Sequence, residues 1–142
     1  MAVPRQKGCT DNYRTMTQRI LLCDDDIHIL RATEFKFQRA GYAVDIAGDG
    51  LEGWESIQKA RPDLVIADCH MPRLDGIGLI QRIRENPATA DIPVLMLTAK
   101  AFELSYGEAA RKWGVLAVIP KPFSPRELLQ RVNAILQPET CE

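Results

Sequence analysis

The sequence has neither a long hydrophobic run nor a strong net charge. Its 142 residues include 18 basic and 19 acidic side chains, which give a formal net charge of −1 at pH 7. This balance offers no electrostatic basis for binding nucleic acid or a membrane surface. No apolar stretch reaches the roughly 18 residues of a membrane-spanning helix, and residues 1–18 lack the apolar core of a secretory signal. By elimination we expect a cytoplasmic protein that binds neither nucleic acid nor membrane.

The sequence lacks the cysteine spacing of a CxxC redox pair or of a zinc site. The four cysteines are Cys9, Cys23, Cys69 and Cys141. None belongs to a CxxC pair, and no cluster of histidine and cysteine has the spacing of a zinc site. The sequence therefore predicts reduced thiols, and it places Cys23 inside a buried strand.

Strand and helix signals alternate regularly along most of the chain. The length and the 46% hydrophobic content fit one globular domain with a sizeable core. The alternation covers residues 19–137, which we take as the domain. Residues 1–18 show no periodicity and are predicted to be a flexible tail, and residues 138–142 form a short end.

Four apolar runs each lead to polar side chains that can bind phosphate or a metal ion. The runs span residues 20–23, 64–67, 94–97 and 115–119. They lead to Asp24 and Asp25, to Asp68, to Thr98 and, through Pro120, to Lys121. Continuous apolar runs of this length are typical of parallel strands that are covered on both faces. A more polar run at 42–47 predicts a further strand at the edge of the sheet.

The segments between the predicted strands have helical periodicity and recognisable ends. The residues expected to face the core are Ile27, Leu30, Phe37 and Ala40 in the first helix, Gly53, Trp54 and Ile57 in the second, Gly76, Leu79, Ile80 and Ile83 in the third, Tyr106, Ala109, Ala110 and Trp113 in the fourth, and Leu128, Val132 and Ile135 in the fifth. The predicted N-caps are Asp49, Asp75 and Ser124, and the predicted helix terminators are Gly41 and Gly114.

Five strand–helix units predict an α/β fold with a doubly wound, five-stranded parallel sheet. Right-handed crossovers place helices on both faces, which gives a flavodoxin-like (βα)5 three-layer sandwich. Strand order 2-1-3-4-5 is expected because it sets the first and third strands side by side at the switch point, where such folds bind ligands. The polar side chains that follow the strands should therefore meet in one crevice.

This set of side chains suits phosphoryl transfer. Carboxylates held close together repel one another, and a divalent cation relieves that repulsion. All-oxygen ligands favour Mg²⁺, and a carboxylate can attack phosphorus to form an aspartyl phosphate. Lys121 and the metal ion would neutralise the charge on the transferring group, and the Thr98 hydroxyl could donate a hydrogen bond to it.

Five ordered motifs carry a resemblance to a known family. They are RILLCDDD at 19–26, PDLVIAD at 62–68, MP at 71–72 with DG at 75–76, LTAK at 97–100, and KPF at 121–123. Together they resemble the receiver domains of two-component response regulators. The resemblance implies that Asp68 accepts a phosphoryl group from a phosphohistidine on a sensor histidine kinase or a histidine phosphotransfer protein. It further implies a Mg²⁺ site, which Mn²⁺ could also fill.

The resemblance also implies a role for each matching position. Asp24, Asp25 and Asp68 would hold the metal ion together with the backbone carbonyl of His70. Thr98 and Lys121 would bind the phosphoryl group and report its presence. The peptide bond between Lys121 and Pro122 would be cis. By contrast, we interpret Asp26 as a helix-terminal acid that interacts with the helix dipole.

One position departs from the family pattern. Val118 occupies the place, three residues before Lys121, where the family usually has an aromatic ring that moves with the threonine. The family passes its signal to a downstream protein through the surface of the fourth helix, the fifth strand and the fifth helix. Without the ring, we expect a weaker or differently routed change on that surface.

The sequence leaves open whether the domain forms a homodimer.

Several hypotheses about the function remain open. The leading one is a stand-alone phosphoacceptor switch, because only residues 138–142 follow the domain and they are too few for an output domain. Alternatives are an interaction module that is not phosphorylated, or a receiver fragment of a larger regulator or hybrid kinase. A hydrolase of the haloacid-dehalogenase type would need an acid two residues after the nucleophile, where this chain has His70. We therefore expect a switch rather than an enzyme acting on external substrates.

Overall fold

The computed structural model describes residues 17–99 and 104–137, except for the side chains of residues 104–106 and 109. Strands and helices alternate throughout. The elements are β1 Arg19–Cys23, α1 Ile27–Arg39, β2 Ala43–Ala47, α2 Gly50–Lys59, β3 Leu64–Asp68, α3 Gly76–Glu85, β4 Val94–Thr98, α4 Leu104–Trp113, β5 Ala117–Pro120 and α5 Pro125–Leu136. The predictions for most of the N-terminal tail and for residues 138–142 lie outside the described residues.

The sheet has the predicted topology. All four strand pairings are parallel, in the order β2-β1-β3-β4-β5, so the doubly wound fold is confirmed and β2 lies at an edge. Strand β3 is buried along its whole length, as a central strand between two helical layers should be. The first and third strands are neighbours, which places the switch point between them.

The core consists of two clusters on opposite faces of the sheet. One contains Leu21 and Cys23 of β1 with the buried side chains of α2 and α3. The other contains Ile20 and Leu22 of the same strand with the buried side chains of α1 and α5. Alternate residues of β1 thus serve different layers, since successive side chains point to opposite faces of a strand. The sheet is therefore covered on both faces, as the continuous apolar runs predicted.

The helix ends agree with the sequence signals. The side chains of Asp49, Asp75 and Ser124 accept hydrogen bonds from amides in the first turns of α2, α3 and α5. Gly41 and Gly114 have positive φ angles of 101° and 69° after their helices, as predicted. Among the described helices, none combines the length and the apolarity needed to cross a membrane.

The predicted buried face of α1 is partly wrong. Leu30 and Phe37 are buried, but Ile27 is 48% exposed in the first turn and Ala40 is an exposed C-cap beyond the helix. The missing member of the buried stripe is Thr33, whose position three residues after Leu30 places it against the sheet. A search for apolar residues alone overlooks such a threonine.

Smaller differences occur at three other places. Trp54, Trp113 and Ile135 pack against the core as predicted, but they are only half-buried at its margins. Strand β5 begins at Ala117 rather than at Val115, because the Val115 amide still donates to the Ala110 carbonyl at the end of α4. The side chains of Tyr106 and Ala109, predicted to face the core, lie outside the described residues.

Candidate metal and phosphate site

Strand register brings the predicted site residues to one edge. Cys23 pairs with Ala67, so Asp24 emerges beside Asp68. Asp68 pairs with Leu97, and Thr98 pairs with Pro120, the residue before Lys121. The Lys121 amide also donates to the Thr98 carbonyl at 2.8 Å. The four strand ends that carry the five predicted side chains therefore meet at one edge of the sheet.

Three carboxylates form a tight cluster at this edge. Oxygen atoms of Asp24, Asp25 and Asp68 all lie within 4.8 Å of one another. Asp24 and Asp68 are buried, at 1% and 5% exposure, whereas Asp25 is exposed at the mouth of the site. Close, partly desolvated carboxylates with all-oxygen chemistry fit a hard divalent cation such as Mg²⁺, which keeps several of its own waters. The residues present thus fit the predicted metal ion.

Lys121 bonds two of the three carboxylates. Its Nζ lies 2.8 Å from Oδ2 of Asp68 and 2.9 Å from Oδ2 of Asp24. Burial and the charge of Asp24 raise the pKa of Asp68 above its usual value, although the hydrogen bond from Lys121 opposes this. For Lys121, burial would lower the pKa, but the bonds to Asp68 and Asp24 outweigh it and raise the pKa. At neutral pH the ammonium is charged and lies against the predicted phosphoacceptor.

The other carboxylate oxygens are held by backbone amides. Oδ1 of Asp24 accepts the Asp26 amide at 3.0 Å, and Oδ1 of Asp68 accepts the His70 amide at 3.3 Å. Apart from its ion pair with Lys121, Oδ2 of Asp24 has no hydrogen-bond partner in the part of the chain that the structure describes. A buried carboxylate oxygen with spare bonding capacity is suited to a metal ion. The metal role of the His70 carbonyl stays a prediction.

Asp26 is separate from this cluster. Its side chain accepts hydrogen bonds from the His28 and Ile29 amides at 2.9 and 3.4 Å, which makes it the N-cap of α1. This confirms its interpretation as a helix-terminal acid. In a run of three consecutive aspartates, only the third caps the helix.

Thr98, the last residue of β4, is fully buried and is in contact with a cysteine. Its exposure is 0%, and its side chain forms a hydrogen bond with the Cys69 thiol. Burial raises the pKa of Cys69 to about 12, so the thiol is neutral, and burial also raises the pKa of Cys23. Both thiols are free in the structure. The sequence did not predict the Cys69–Thr98 contact. The position of Cys69 directly after the buried strand β3 is the signal that could have indicated it.

The segment around the end of β5 contains one feature that the resemblance implied and one departure from the family pattern. The peptide bond between Lys121 and Pro122 is cis. Val118 is half-buried, is paired with Met96 across the sheet and packs against the core cluster on the α2 and α3 side. Its aliphatic side chain cannot make the movement of a ring. Lys100, the last residue of the LTAK motif, lies outside the described residues.

Sequence reasoning missed an ion pair beside the site. Arg73, in the 69–75 loop after β3, lies 2.9 and 3.0 Å from Oδ2 of Asp49 through Nη2 and Nε. Burial would raise the pKa of Asp49, but the hydrogen bonds from the Glu52 amide and from Arg73 outweigh it and lower that pKa. The loop runs so close to α2 that a Cβ at Gly50 would collide with the Leu74 carbonyl oxygen. Nothing in the sequence pairs positions 49 and 73.

Comparison with known proteins agrees with the geometry. The family model described as "Response regulator receiver domain" matches residues 20–133. The chain is 37% identical over 122 residues to the alkaline phosphatase synthesis transcriptional regulatory protein PhoP of Bacillus subtilis, covering 86% of this chain and 50% of PhoP. It is 39% identical over 119 residues to the DNA-binding dual master transcriptional regulator RpaA of Synechocystis, covering 84% of this chain and 49% of RpaA.

A solved structure with the same fold is the chemotaxis protein CheY4 of Vibrio cholerae. The TM-score is 0.78 at 32% identity, and the match covers 84% of this chain and 99% of CheY4. The chain spans about half the length of the curated relatives that it matches. The family match and the site together place the protein: it is a receiver domain of the response regulator family, which belongs to two-component signalling.

Proposed function

We propose that the domain is a phosphoacceptor switch in which Asp68 takes a phosphoryl group from a phosphohistidine on a partner protein. The main support is the arrangement around one oxygen atom. Oδ2 of Asp68 lies 2.8 Å from the Lys121 ammonium, inside a cluster of carboxylates that fits Mg²⁺. Receiver domains generally bind Mg²⁺ in such a pocket and interact with histidine kinases and downstream targets.

In the proposed step, one carboxylate oxygen of Asp68 forms a bond to phosphorus while the bond from phosphorus to the donor nitrogen breaks. The electron pair of that bond stays on the departing imidazole. Lys121 is already placed to neutralise negative charge on the transferring group. Bound Mg²⁺, held by Asp24, Asp25, Asp68 and the His70 carbonyl, would supply further charge neutralisation. The result is an aspartyl phosphate and a free histidine on the partner.

Thr98 is the residue that we expect to sense the new group. Its buried hydroxyl belongs to the strand end next to Asp68 and bonds Cys69 in this structure. Moving it toward the phosphoryl group would exchange that bond for a charge-assisted one, which is stronger. We expect the change to reach the surface of α4, β5 and α5, where a downstream protein would bind. Because Val118 replaces the usual ring, the change there should be small.

The experiment is phosphorylation by acetyl phosphate, a small donor that needs no partner protein. With Mg²⁺, the wild-type chain should gain one adduct of about 80 Da, the mass of a single phosphoryl group. The Asp68→Ala variant should gain none. Asp26→Asn is the matched control, because it removes a neighbouring charge outside the cluster and keeps an N-cap side chain.

Two outcomes would contradict the proposal. Absence of any Mg²⁺-dependent adduct on the wild type would favour an interaction module that is not phosphorylated. Repeated release of phosphate from small esters, with many turnovers per molecule, would instead indicate a hydrolase. We propose a switch that acts once per phosphoryl group, not an enzyme for external substrates.

A further inference from the structure

The loop after the phosphoacceptor strand has an unusual conformation. Arg73 has a φ of 66° and is the only non-glycine residue with a positive φ among residues 17–99 and 104–137. The Leu74 amide donates to the Pro72 carbonyl at 2.7 Å across it, which is the bond of a γ-turn with Arg73 at its centre. Turns of this hand are rare and strained for residues with a side chain. Other contacts must therefore hold the loop.

Those contacts come from the N-terminal end of α2. The Arg73 guanidinium places two N–H groups on Oδ2 of Asp49, at 2.9 and 3.0 Å, and its Nη2 lies 3.9 Å from Glu52. The next loop residue, Leu74, accepts the Gly50 amide through its carbonyl at 2.9 Å. A side-chain ion pair and a backbone bond thus fasten adjacent residues of the loop to the same helix end.

The Asp49 carboxylate is buried and already hydrogen-bonded to its own helix. The residue is only 7% exposed, and its second oxygen, Oδ1, accepts the Glu52 amide at 2.9 Å as the N-cap of α2. Its carboxylate therefore has a fixed position and a fixed orientation before Arg73 binds. An ion pair with one rigid and buried partner loses less entropy on forming than one between two mobile surface side chains.

The N-terminal end of the 69–75 loop carries groups that belong to the metal site. His70, two residues after Asp68, donates its amide to Oδ1 of that aspartate at 3.3 Å, and its carbonyl is the expected metal ligand. The loop closes through the Gly76 amide, which donates to the Cys69 carbonyl at 3.1 Å. Displacement of residues 72–74 would therefore be transmitted over a few bonds to His70 and Asp68.

We infer that the Arg73–Asp49 ion pair is a positioning device for the metal site, which fixes the loop so that the His70 carbonyl and Asp68 face the cation. The inference rests on the proposed function, because it assigns the pair a role in Mg²⁺ binding and phosphorylation. Neither residue touches the carboxylate cluster, so both act through the loop. Partners that orient metal ligands commonly change metal affinity by 10- to 100-fold when they are lost.

The test uses Arg73→Gly and Asp49→Asn. Glycine adopts a positive φ at no steric cost, so the first variant removes the guanidinium without adding strain. Asparagine still caps a helix, so the second removes the charge but keeps the N-cap. We expect each variant to weaken Mg²⁺ binding about three- to tenfold, in the same direction as the loss of other groups that orient metal ligands. The double variant should be no weaker than the worse single one, as expected for residues that act as one unit.

A matched control is the ion pair between Arg61 and Asp91, whose atoms are 2.7 Å apart. Arg61 lies before β3, at the opposite end of the strand from Asp68. Arg61→Ala should leave Mg²⁺ affinity within twofold of wild type. Arg73→Lys should recover part of the affinity, because it restores the charge with a single donor group. NMR should show changed Gly76 and Cys69 amide signals in Arg73→Gly and not in Arg61→Ala.

The results separate this inference from the proposed function. Unchanged Mg²⁺ affinity in Arg73→Gly, or additive effects in the double variant, would overturn the positioning role even if Asp68 is phosphorylated normally. Conversely, absence of an adduct on the wild type would refute the phosphoacceptor, while the metal titration and the NMR signals would still decide the role of the ion pair. If Arg73→Gly lost no more Mg²⁺ affinity than Arg61→Ala, the ion pair would have only a general stabilising role, and this would also contradict the inference.

Discussion

Substituting Asp25 by Asn should raise the stability of the metal-free protein. Asp25 is exposed, so the change leaves no cavity, but its carboxylate lies within 4.8 Å of two others. Two unit charges at that separation repel by about 0.9 kcal/mol in a dielectric close to that of water. Two such pairs give about 1.7 kcal/mol, and attraction to Lys121 offsets part of it. The net gain in the free energy of unfolding should be about 1 kcal/mol at low salt.

Added Mg²⁺ should reverse this effect. A cation that binds only the folded state stabilises it in proportion to its affinity, and a tenfold loss of affinity lowers that gain by about 1.4 kcal/mol. Asp25→Asn should therefore be more stable than wild type in EDTA and no more stable in saturating Mg²⁺. Urea unfolding followed by circular dichroism, with and without the metal ion, measures both values.

Asp26→Asn provides the control for this comparison. Asp26 is also an exposed acid in the same run, but it caps α1 and lies outside the carboxylate cluster. Asparagine caps a helix about as well as aspartate, so this variant should match wild type within about 0.5 kcal/mol in EDTA and keep its response to Mg²⁺. The reasoning fails if Asp25→Asn destabilises the metal-free protein, or if both variants respond to Mg²⁺ as wild type does.

Three further predictions concern the same site. Mg²⁺ affinity should fall as the pH drops toward the pKa of Asp68. Burial and the charge of Asp24 hold that pKa above the usual 3.8. Because the pKa is raised, Asp68 stabilises the metal-free fold at low pH, and this contribution is lost as the pH rises through the pKa. Calorimetric titrations at neutral and mildly acidic pH measure this, and a flat profile contradicts it. His70→Ala should leave the rate of phosphorylation unchanged, because the variant keeps the backbone carbonyl and loses only the exposed ring. A slower rate would contradict this. The half-life of the phosphorylated form should change only if the imidazole affects the attack of water. Val118→Tyr should enlarge the phosphorylation-induced NMR shifts in β5, and a wild type that already shifts as strongly as relatives with an aromatic residue would refute the role given to Val118.

Much of the fold and the site could be predicted because the same residues encode both. Apolar runs define the strands, and each run ends in the polar side chain that the sheet edge then collects, as with Asp68 and Lys121. Parallel pairing leaves little freedom in where these ends lie. The N-caps Asp49 and Asp75 were likewise visible because capping depends on residues only three positions apart.

The features that could not be predicted depend on contacts between segments that share no local pattern. Arg73 and Asp49 lie 24 positions apart, and Arg73 has a positive φ, which an arginine does not signal. The Cys69–Thr98 hydrogen bond joins two different strand ends. Ile27, the first residue of α1, is 48% exposed, whereas periodicity alone treats every apolar position alike.

The measurement that tests the central claim most directly is the location of the phosphoryl group after treatment with acetyl phosphate and Mg²⁺. Reduction of the aspartyl phosphate with borohydride marks the modified residue, and peptide mass spectrometry then identifies it. We predict the mark on Asp68 alone, dependent on Mg²⁺ and lost in Asp68→Ala. A mark on Asp24 or Asp25, or an equal yield when Mg²⁺ is replaced by EDTA, would contradict the account.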